Sequence, residues 1–534
     1  MTGSESAAPS PLPLGEMHPT RWGDPAAATT LPEPTRGLLE LAFRLEDRAA
    51  VAEGVLPAST VPAAAAADLE AAVGADHVLR DDLSRRLRTR GKSTPDLIRA
   101  RAGDLSDAPD VVVRPVDAAQ VEAVLDVARR HHLAVVTFGG GTAVTGGLVA
   151  QREGYAGVVS LDLVRMKRLL AVDPVSMTAT LEPGLRGPEA EALLAEHGLT
   201  LGHFPQSFEY ATIGGFAATR SSGQSSAGYG RFDALVVGLD VVTPVGQLHL
   251  GTAPASAAGP DLRQLFLGSE GCFGVITAVT VRVRHLPSAA AYEGWGWASF
   301  AAGTTAVRAL AQSGLLPTVV RLSDETETAL NLARPDQIGA ASTPGCLMVV
   351  GIEGDPEAVR TRRAAVTEVL TRLGGTSLGE EPGRAWEHGR YRAPYLRDAL
   401  LDVGVLVETL ETATFWSNVE RLHAAVRAAL EEHLPGPTMV LCHVSHVYET
   451  GASLYFTVAT QEGATPLETW RAAKAAATDA MVEAGGTITH HHAVGTDHRP
   501  WLEREIGPVG VTVLRAVKQA LDPDGLLNPG VLVP

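Results

Sequence analysis

The chain has 534 residues, 45% of them hydrophobic and 20% charged, with a formal net charge of −17. Such a length and composition give a globular protein of about three domain-sized units. They exclude a disordered chain, a general nucleic-acid binder and a polybasic membrane anchor.

Cys272, Cys346 and Cys442 are scattered and form no CxxC pair, which excludes a disulfide framework or a zinc ribbon and fits a reducing, cytoplasmic setting. The start, MTGSESAAPSPLPLGEM, has neither the basic region nor the apolar core of a signal peptide. No apolar run reaches the roughly 20 residues that span a bilayer, which leaves peripheral contact through an apolar patch as the only membrane option.

Residues 1–18 are rich in Pro, Ser and Ala and are expected to be disordered. Within Arg36 to Ala50, Leu38, Leu41, Ala42 and Leu45 fall at helical spacing. The basic stretch from Arg80 to Arg101, opening RDDLSRRLRTRGK, predicts a solvated helix face. At Val111 the pattern changes. Val111–Val113 predicts a strand, Asp117 and Gln120 a capping box, and Val121, Val124, Leu125 and Ala128 one helical stripe. Ala134 to Phe138 predicts the next strand, which empties into Gly139, Gly140 and Gly141.

Backbone without side chains allows close approach, and successive N–H groups can form a nest for an anion such as a pyrophosphate. A tight turn is the bland rival. Val144 breaks the G-x-G-x-x-G spacing and no GK[ST] follows, so neither the Rossmann fingerprint nor the P-loop applies. Further on, Met177, Ala179 and Leu181 alternate as a strand, and Pro188 to His197 predicts a helix. Pro205 to Phe232 is dense in Gly, Ser and Thr. It predicts a long functional loop with no core element, followed by a strand from Ala234 to Val242. A third glycine turn, Leu265 to Gly274, enters a strand from Val275 to Val283. One large ligand with several phosphates and rings, laid across all three loops, accounts for their spacing.

The segments PDVVVRP, TFGGGTAVTGGL, QSFEYATIGGFAATRSSG and GSEGCFGVITAVTVRV occur in this order, and LDPDGLLNPG closes the chain. Together they resemble the vanillyl-alcohol oxidase and p-cresol methylhydroxylase superfamily. The resemblance implies an α+β fold, with a two-subdomain FAD-binding domain and an α+β substrate (cap) domain. It further implies FAD held by four loops. Phe138, Gly139, Gly140, Gly141, Thr142, Ala143, Val144 and Thr145 form the first, and Gln206, Ser207, Phe208, Glu209, Tyr210, Ala211 and Thr212 the second. Thr219, Arg220, Ser221 and Ser222 form the third. Glu270, Gly271, Cys272, Phe273, Gly274, Val275 and Ile276 complete the site. No His or Cys is obviously placed for covalent attachment, so the FAD is expected to be non-covalent.

From Pro287 onward Tyr292, Trp295, Trp297 and Phe300 mark a second unit. It has predicted strands at Val319–Leu322 and Leu347–Ile352 and predicted helices at Gly303–Ser313, Asp355–Leu373 and Leu467–Glu483. The expected division is a disordered N-terminus (1–18), a helical region (19–106), the FAD-binding domain (107–287), the substrate domain (288–470) and a C-terminal segment completing the active site (471–534).

His490, His491 and His492 are the most unusual run. On a strand His490 and His492 would share a face. No further ligands stand at metal-site spacing, so no metal is assigned, leaving satisfied structural histidines or an active-site cluster of proton carriers. Arg321 sits in an apolar strand, where a charge needs a partner. Arg397 has Asp398 as a neighbour, and an Arg pair aimed into a cavity suits phosphate or carboxylate. Tyr455 lies in an apolar strand, where a core tyrosine is the alternative.

HHHAVG, VVRLSD, YLRD followed by LETATFW, and GASLYF together resemble the alkyldihydroxyacetonephosphate synthase family, from Arg21-Trp22-Gly23-Asp24 to the C-terminus. By that resemblance Tyr455 transfers the proton, His490, His491 and His492 shape the active site, and Arg397 and Arg321 lie near the substrate phosphate. The implied reaction exchanges the acyl group of acyl-dihydroxyacetone phosphate for a long-chain alcohol, without net redox change. The alternative is an FAD-dependent oxidase or dehydrogenase of an alcohol or 2-hydroxy acid on the same fold. The GDGNxH-like metal motif of the related dehydrogenases is absent from HVSHVYETGASLY, His443 to Tyr455. Ala493 stands where animal members of the family carry Gly. A small-molecule or lipid-like substrate is implied, and the resemblance leaves room for a homodimer and for a location at a membrane surface.

Overall fold

A computed structural model describes residues 15–149, 151–330 and 345–534. Three mixed layers carry the site. In the first, the strands Val78–Leu79, Val111–Val113, Gly157–Asp162 and Leu133–Phe138 lie side by side in that order, and the last three run parallel. The helix Ala118–His131 makes the crossover. Its N-cap Asp117 accepts from the Gln120 amide, and Val121, Val124, Leu125 and Ala128 bury one stripe. Parallel pairing needs such a crossover, and it is why Leu133–Phe138 points its C-terminal end, and hence the glycine triplet, toward the molecule's interior cavity.

The second sheet is antiparallel, with five strands, Leu169–Asp173, Thr178–Leu181, Val275–Arg282, Val236–Thr243 and Gly246–Leu250, in that spatial order. The third has seven antiparallel strands. Its far half consists of Val319–Ser323, Thr438–Val444, Gly451–Gln461 and Val405–Phe415 as successive neighbours. Among the described residues no helix is long and apolar enough to cross a membrane.

Three sequence expectations change here. The basic stretch is not a solvated face. Arg85, Arg88, Arg90, Lys92 and Arg101 are all buried, and only Asp82–Leu87 and Thr94–Arg101 are helical. Each charge has a partner that makes burial tolerable. Arg85 donates to the Pro109 and Pro57 carbonyls, Arg88 pairs with Asp162 at 2.8 Å, and Arg90 pairs with Asp107. Second, Pro205 to Phe232 does contain core. Thr212 caps a helix, Ile213–Thr219, that buries Ile213, Phe216 and Ala217. Small residues let this helix pack tightly: a Cβ on Gly214 would lie 2.6 Å from Pro183. Third, the early helix is Glu33–Ala42. It buries Leu39 against Val405 and Val407 while Leu41 is exposed; the Leu38 side chain lies outside the described ones.

Residues 1–14 lie outside the described structure. Order begins before the expected residue 19, because Met17 packs with Trp22, Tyr210 and Tyr395.

Candidate active site

A cavity of about 440 Å³ lies between the glycine loops and the seven-stranded sheet. Its first wall is backbone. Gly139, Gly140, Gly141, Thr142, Ala143 and Val144 line it, with Gln206, Ser207, Ala211 and Thr212 alongside. Gly140 must be glycine, because a Cβ there would lie 2.0 Å from the Tyr210 carbonyl oxygen. Gly141 adopts φ +68°, where a side chain is strained. The basic stretch braces this loop from behind. The Lys92 amide donates to the Ala143 carbonyl at 2.7 Å, and the Arg88 guanidinium lies over the Phe138 ring. Thr219, Ser221, Ser222, Glu270, Gly271, Gly274 and Ile276 extend the wall. Gln206 Nε2 and Ser222 Oγ are buried without a hydrogen-bond partner among the described residues. This side-chain-free cradle with waiting polar atoms fits a dinucleotide cofactor such as FAD.

The second wall is side chains, set by strand register. Glu411 pairs with Tyr455 and Tyr455 with His443 across three neighbouring strands, and Ser323 pairs with His443 on a fourth. Residues directly opposite share a face, so one row brings Glu411, Tyr455 and His443 together. The His443 ring stacks on Tyr455 at 5.0 Å. Glu327 then ties Arg321 to His443: Arg321 Nη2 donates to Glu327 Oε1 at 2.6 Å, and His443 Nδ1 lies 3.0 Å from Glu327 Oε2. Burial opposes the charge on Glu327, but Arg321 and His443 hold its carboxyl well below the usual range.

His490, His491 and His492 are not on a strand, so the shared face that a strand would give His490 and His492 does not arise. They form a loop wrapped around one buried carboxylate. The amides of His490, His491 and His492 donate to Glu411 at 2.7, 3.1 and 3.0 Å, and Thr489 Oγ1 donates at 2.6 Å. Burial pushes the Glu411 carboxyl up, yet its histidine neighbours, Thr489 and the His491 amide bring it down to about 2. Near neutral pH the histidines are uncharged, since burial lowers His490 to about 4 and His491 and His492 below their ordinary value. The amide and hydroxyl donors therefore hold the Glu411 charge. Burial also pushes the Tyr455 phenol up to about 12, so it keeps its proton.

Arg321, Arg397, Tyr455, His491 and His492 all line the cavity. Arg397 is partly buried; its contact with Asp398 is 3.6 Å, and its Nε and Nη2 lack hydrogen-bond partners among the described residues, as does Arg321 Nε. Other predicted residues stand behind the lining. His490 bonds the Tyr448 hydroxyl at 2.5 Å, and Thr145 Oγ1 donates to the His492 carbonyl. Phe208 stacks on Tyr391, Tyr210 packs on Trp22, and burial raises the nearby Glu209 carboxyl. Arg220 bonds the Leu267 carbonyl and Asp233, while Cys272, Phe273 and Val275 are core.

Sequence reasoning missed Glu411, His446 and Lys92. Glu411 sits inside LETATFW and His446 three residues after His443, but only the register and the fold around them reveal what they face. Lys92 lines the cavity; its ammonium donates to the His18 carbonyl at 2.6 Å, and burial lowers it to about 8 against the pull of Asp398.

Residues 109–251 match the family described as FAD binding domain, and residues 286–532 match FAD linked oxidases, C-terminal domain. The alkyldihydroxyacetonephosphate synthase of Dictyostelium discoideum is 34% identical over 483 residues, which is 86% of this chain and 79% of that protein. A solved structure of alkyldihydroxyacetonephosphate synthase superposes with a TM-score of 0.81 at 29% identity, covering 96% of this chain and 99% of the other. The p-cresol methylhydroxylase structure shares the fold, with a TM-score of 0.67 at 18% identity over 88% of this chain and 97% of its own. With the α+β architecture and the FAD-type cradle in place, these likenesses settle the family: the chain is an FAD-dependent enzyme and belongs to the alkyldihydroxyacetonephosphate synthase family.

Proposed function

We propose that the protein exchanges the acyl group of acyl-dihydroxyacetone phosphate for a long-chain alcohol, in ether-lipid synthesis. The carrying observation is that one cavity joins a backbone cradle for FAD to a wall bearing two arginines with N–H groups left over from their own pairings, a protonated phenol and neutral imidazoles. The FAD-facing loops are Phe138–Thr145, Gln206–Thr212, Thr219–Ser222 and Glu270–Ile276. When bound, FAD supplies an electrophilic ring, held without a covalent bond.

The chain's own residues do the rest. Arg397 and Arg321 receive the substrate phosphate through their free guanidinium N–H groups, which match its oxygens. The ester bond to C1 breaks and the fatty acid leaves; the alcohol oxygen then bonds to C1 and loses its proton. Tyr455 holds a proton at neutral pH, and His491 and His492 are uncharged and able to accept one. Glu411 fixes these imidazoles through their backbone. No electrons are gained or lost overall.

The test is to incubate flavin-loaded protein with labelled fatty alcohol and acyl-dihydroxyacetone phosphate. Labelled ether product is expected. Its absence at full flavin occupancy overturns the proposal.

A further inference from the structure

The sequence assigned no metal because two alternating histidines lacked further ligands. The fold supplies one from elsewhere. His446, just past the strand Thr438–Val444, comes against the histidine loop, and the ligand nitrogens of His446, His490 and His491 all lie within 4.8 Å of one another. We infer that these three imidazoles form a binding site for one divalent transition-metal ion of the zinc class. The inference goes beyond the exchange reaction and does not rest on it.

Ring placement carries the argument. Three imidazoles around one tetrahedral ion, with metal–nitrogen bonds of about 2 Å, have ring centres about 5 Å apart. Here the separations are 5.3 Å for His446–His490, 4.8 Å for His446–His491 and 5.2 Å for His490–His491. His491 stands across the other two rings at 78° and 82°, while those two are 20° from parallel. His490 Nδ1 and His491 Nδ1 are already 2.9 Å apart. Nitrogens of a tetrahedral site stand roughly 3.3 Å apart, so ligand atoms that lie within 4.8 Å of one another close onto an ion by side-chain shifts of at most about 1.5 Å.

The outer groups also fit. A metal-bound imidazole keeps its orientation through a partner on its other nitrogen. Ser226 Oγ sits 2.8 Å from His446 Nδ1, and the Tyr448 hydroxyl 2.5 Å from His490 Nε2. Glu411 anchors the His491 amide and lies 3.5 Å from its Nδ1, placing a full negative charge just outside the trio. Burial keeps the rings neutral, the form that binds metal. His446 and His491 line the cavity, so an ion has an entry path and an open fourth position there.

Equilibrium dialysis of the flavin-loaded protein against Zn²⁺, with elemental analysis, reads the site directly. One zinc per chain is expected, bound at least tenfold more weakly in His446→Ala and a few-fold more weakly in Tyr448→Phe. Flavin absorbance in each variant reports folding. If His446→Ala does not fold, Co²⁺ on the wild type decides by showing or lacking the strong visible bands of a tetrahedral site. No zinc on flavin-replete protein, equal affinity in a folded His446→Ala, or cobalt without those bands overturns the site. None of these readings needs turnover, so failure here and failure of the exchange reaction are told apart.

Discussion

The two walls of the cavity solve opposite problems. The glycine wall works by what it lacks. Gly139 and Gly140 have no Cβ, so the loop passes within contact distance of Thr212 and Tyr210. The cap wall works by what it buries. Arg321, Glu327, Glu411, His443 and the histidine loop are charged or titratable groups held in the interior by each other. Cofactor placement thus tolerates almost no change of shape, while proton handling tolerates almost no change of charge.

Substitutions break this contrast in order of size. Tyr455→Phe keeps the shape and removes the proton. Turnover is expected to fall by about 10²–10⁴-fold, with full flavin and a melting temperature near wild type. Next comes Gly140→Ala, whose methyl meets immovable backbone. A cost of about 3 kcal/mol, roughly a hundredfold loss of FAD affinity, is expected from the flavin absorbance per chain. Gly215→Ala meets only Thr212 Oγ1 at 3.3 Å and is expected to retain FAD.

Acidity separates the walls in a third way. Burial lowers His490 to about 4 on the cap side, so stability is lost as pH falls from about 6.5 toward 4. Burial raises Glu270 to about 7 on the glycine side, so stability is full below about 4.5 and is lost as pH rises to 7. Glu270→Gln removes only the second loss. Its stability relative to wild type, read from melting temperatures, is expected to climb between pH 4.5 and 7 by about 3 kcal/mol and then stay level. The smallest effect is Ala493→Gly. Ala493 holds φ +71° immediately after the histidine run, and relieving it is expected to add up to about 1 kcal/mol by thermal melting.

The same contrast decided what the sequence revealed. The glycine wall is local: a strand, a crossover helix and a second strand with their caps are all visible in Val111 to Phe138, and the glycines follow directly. The cap wall is assembled at long range. Glu411 meets Tyr455 only because two strands pair in one register, and one residue of slip would turn it to the other face. Three adjacent histidines carry no periodicity that shows what they face, and the carboxylate that holds their amides, Glu411, lies nearly 80 residues earlier. The basic stretch looked solvated because its partners, Asp162 and Asp107 among them, are brought in by tertiary contacts that charge density alone does not show.

The central claim is an FAD-dependent exchange without net redox change, and the flavin spectrum during anaerobic turnover tests it most directly. With acyl-dihydroxyacetone phosphate and a long-chain alcohol, the account predicts steady formation of ether product while the flavin is oxidised at the end of the reaction. Stoichiometric bleaching by a substrate, restored only by an added electron acceptor, would contradict it and make the protein an oxidase or dehydrogenase.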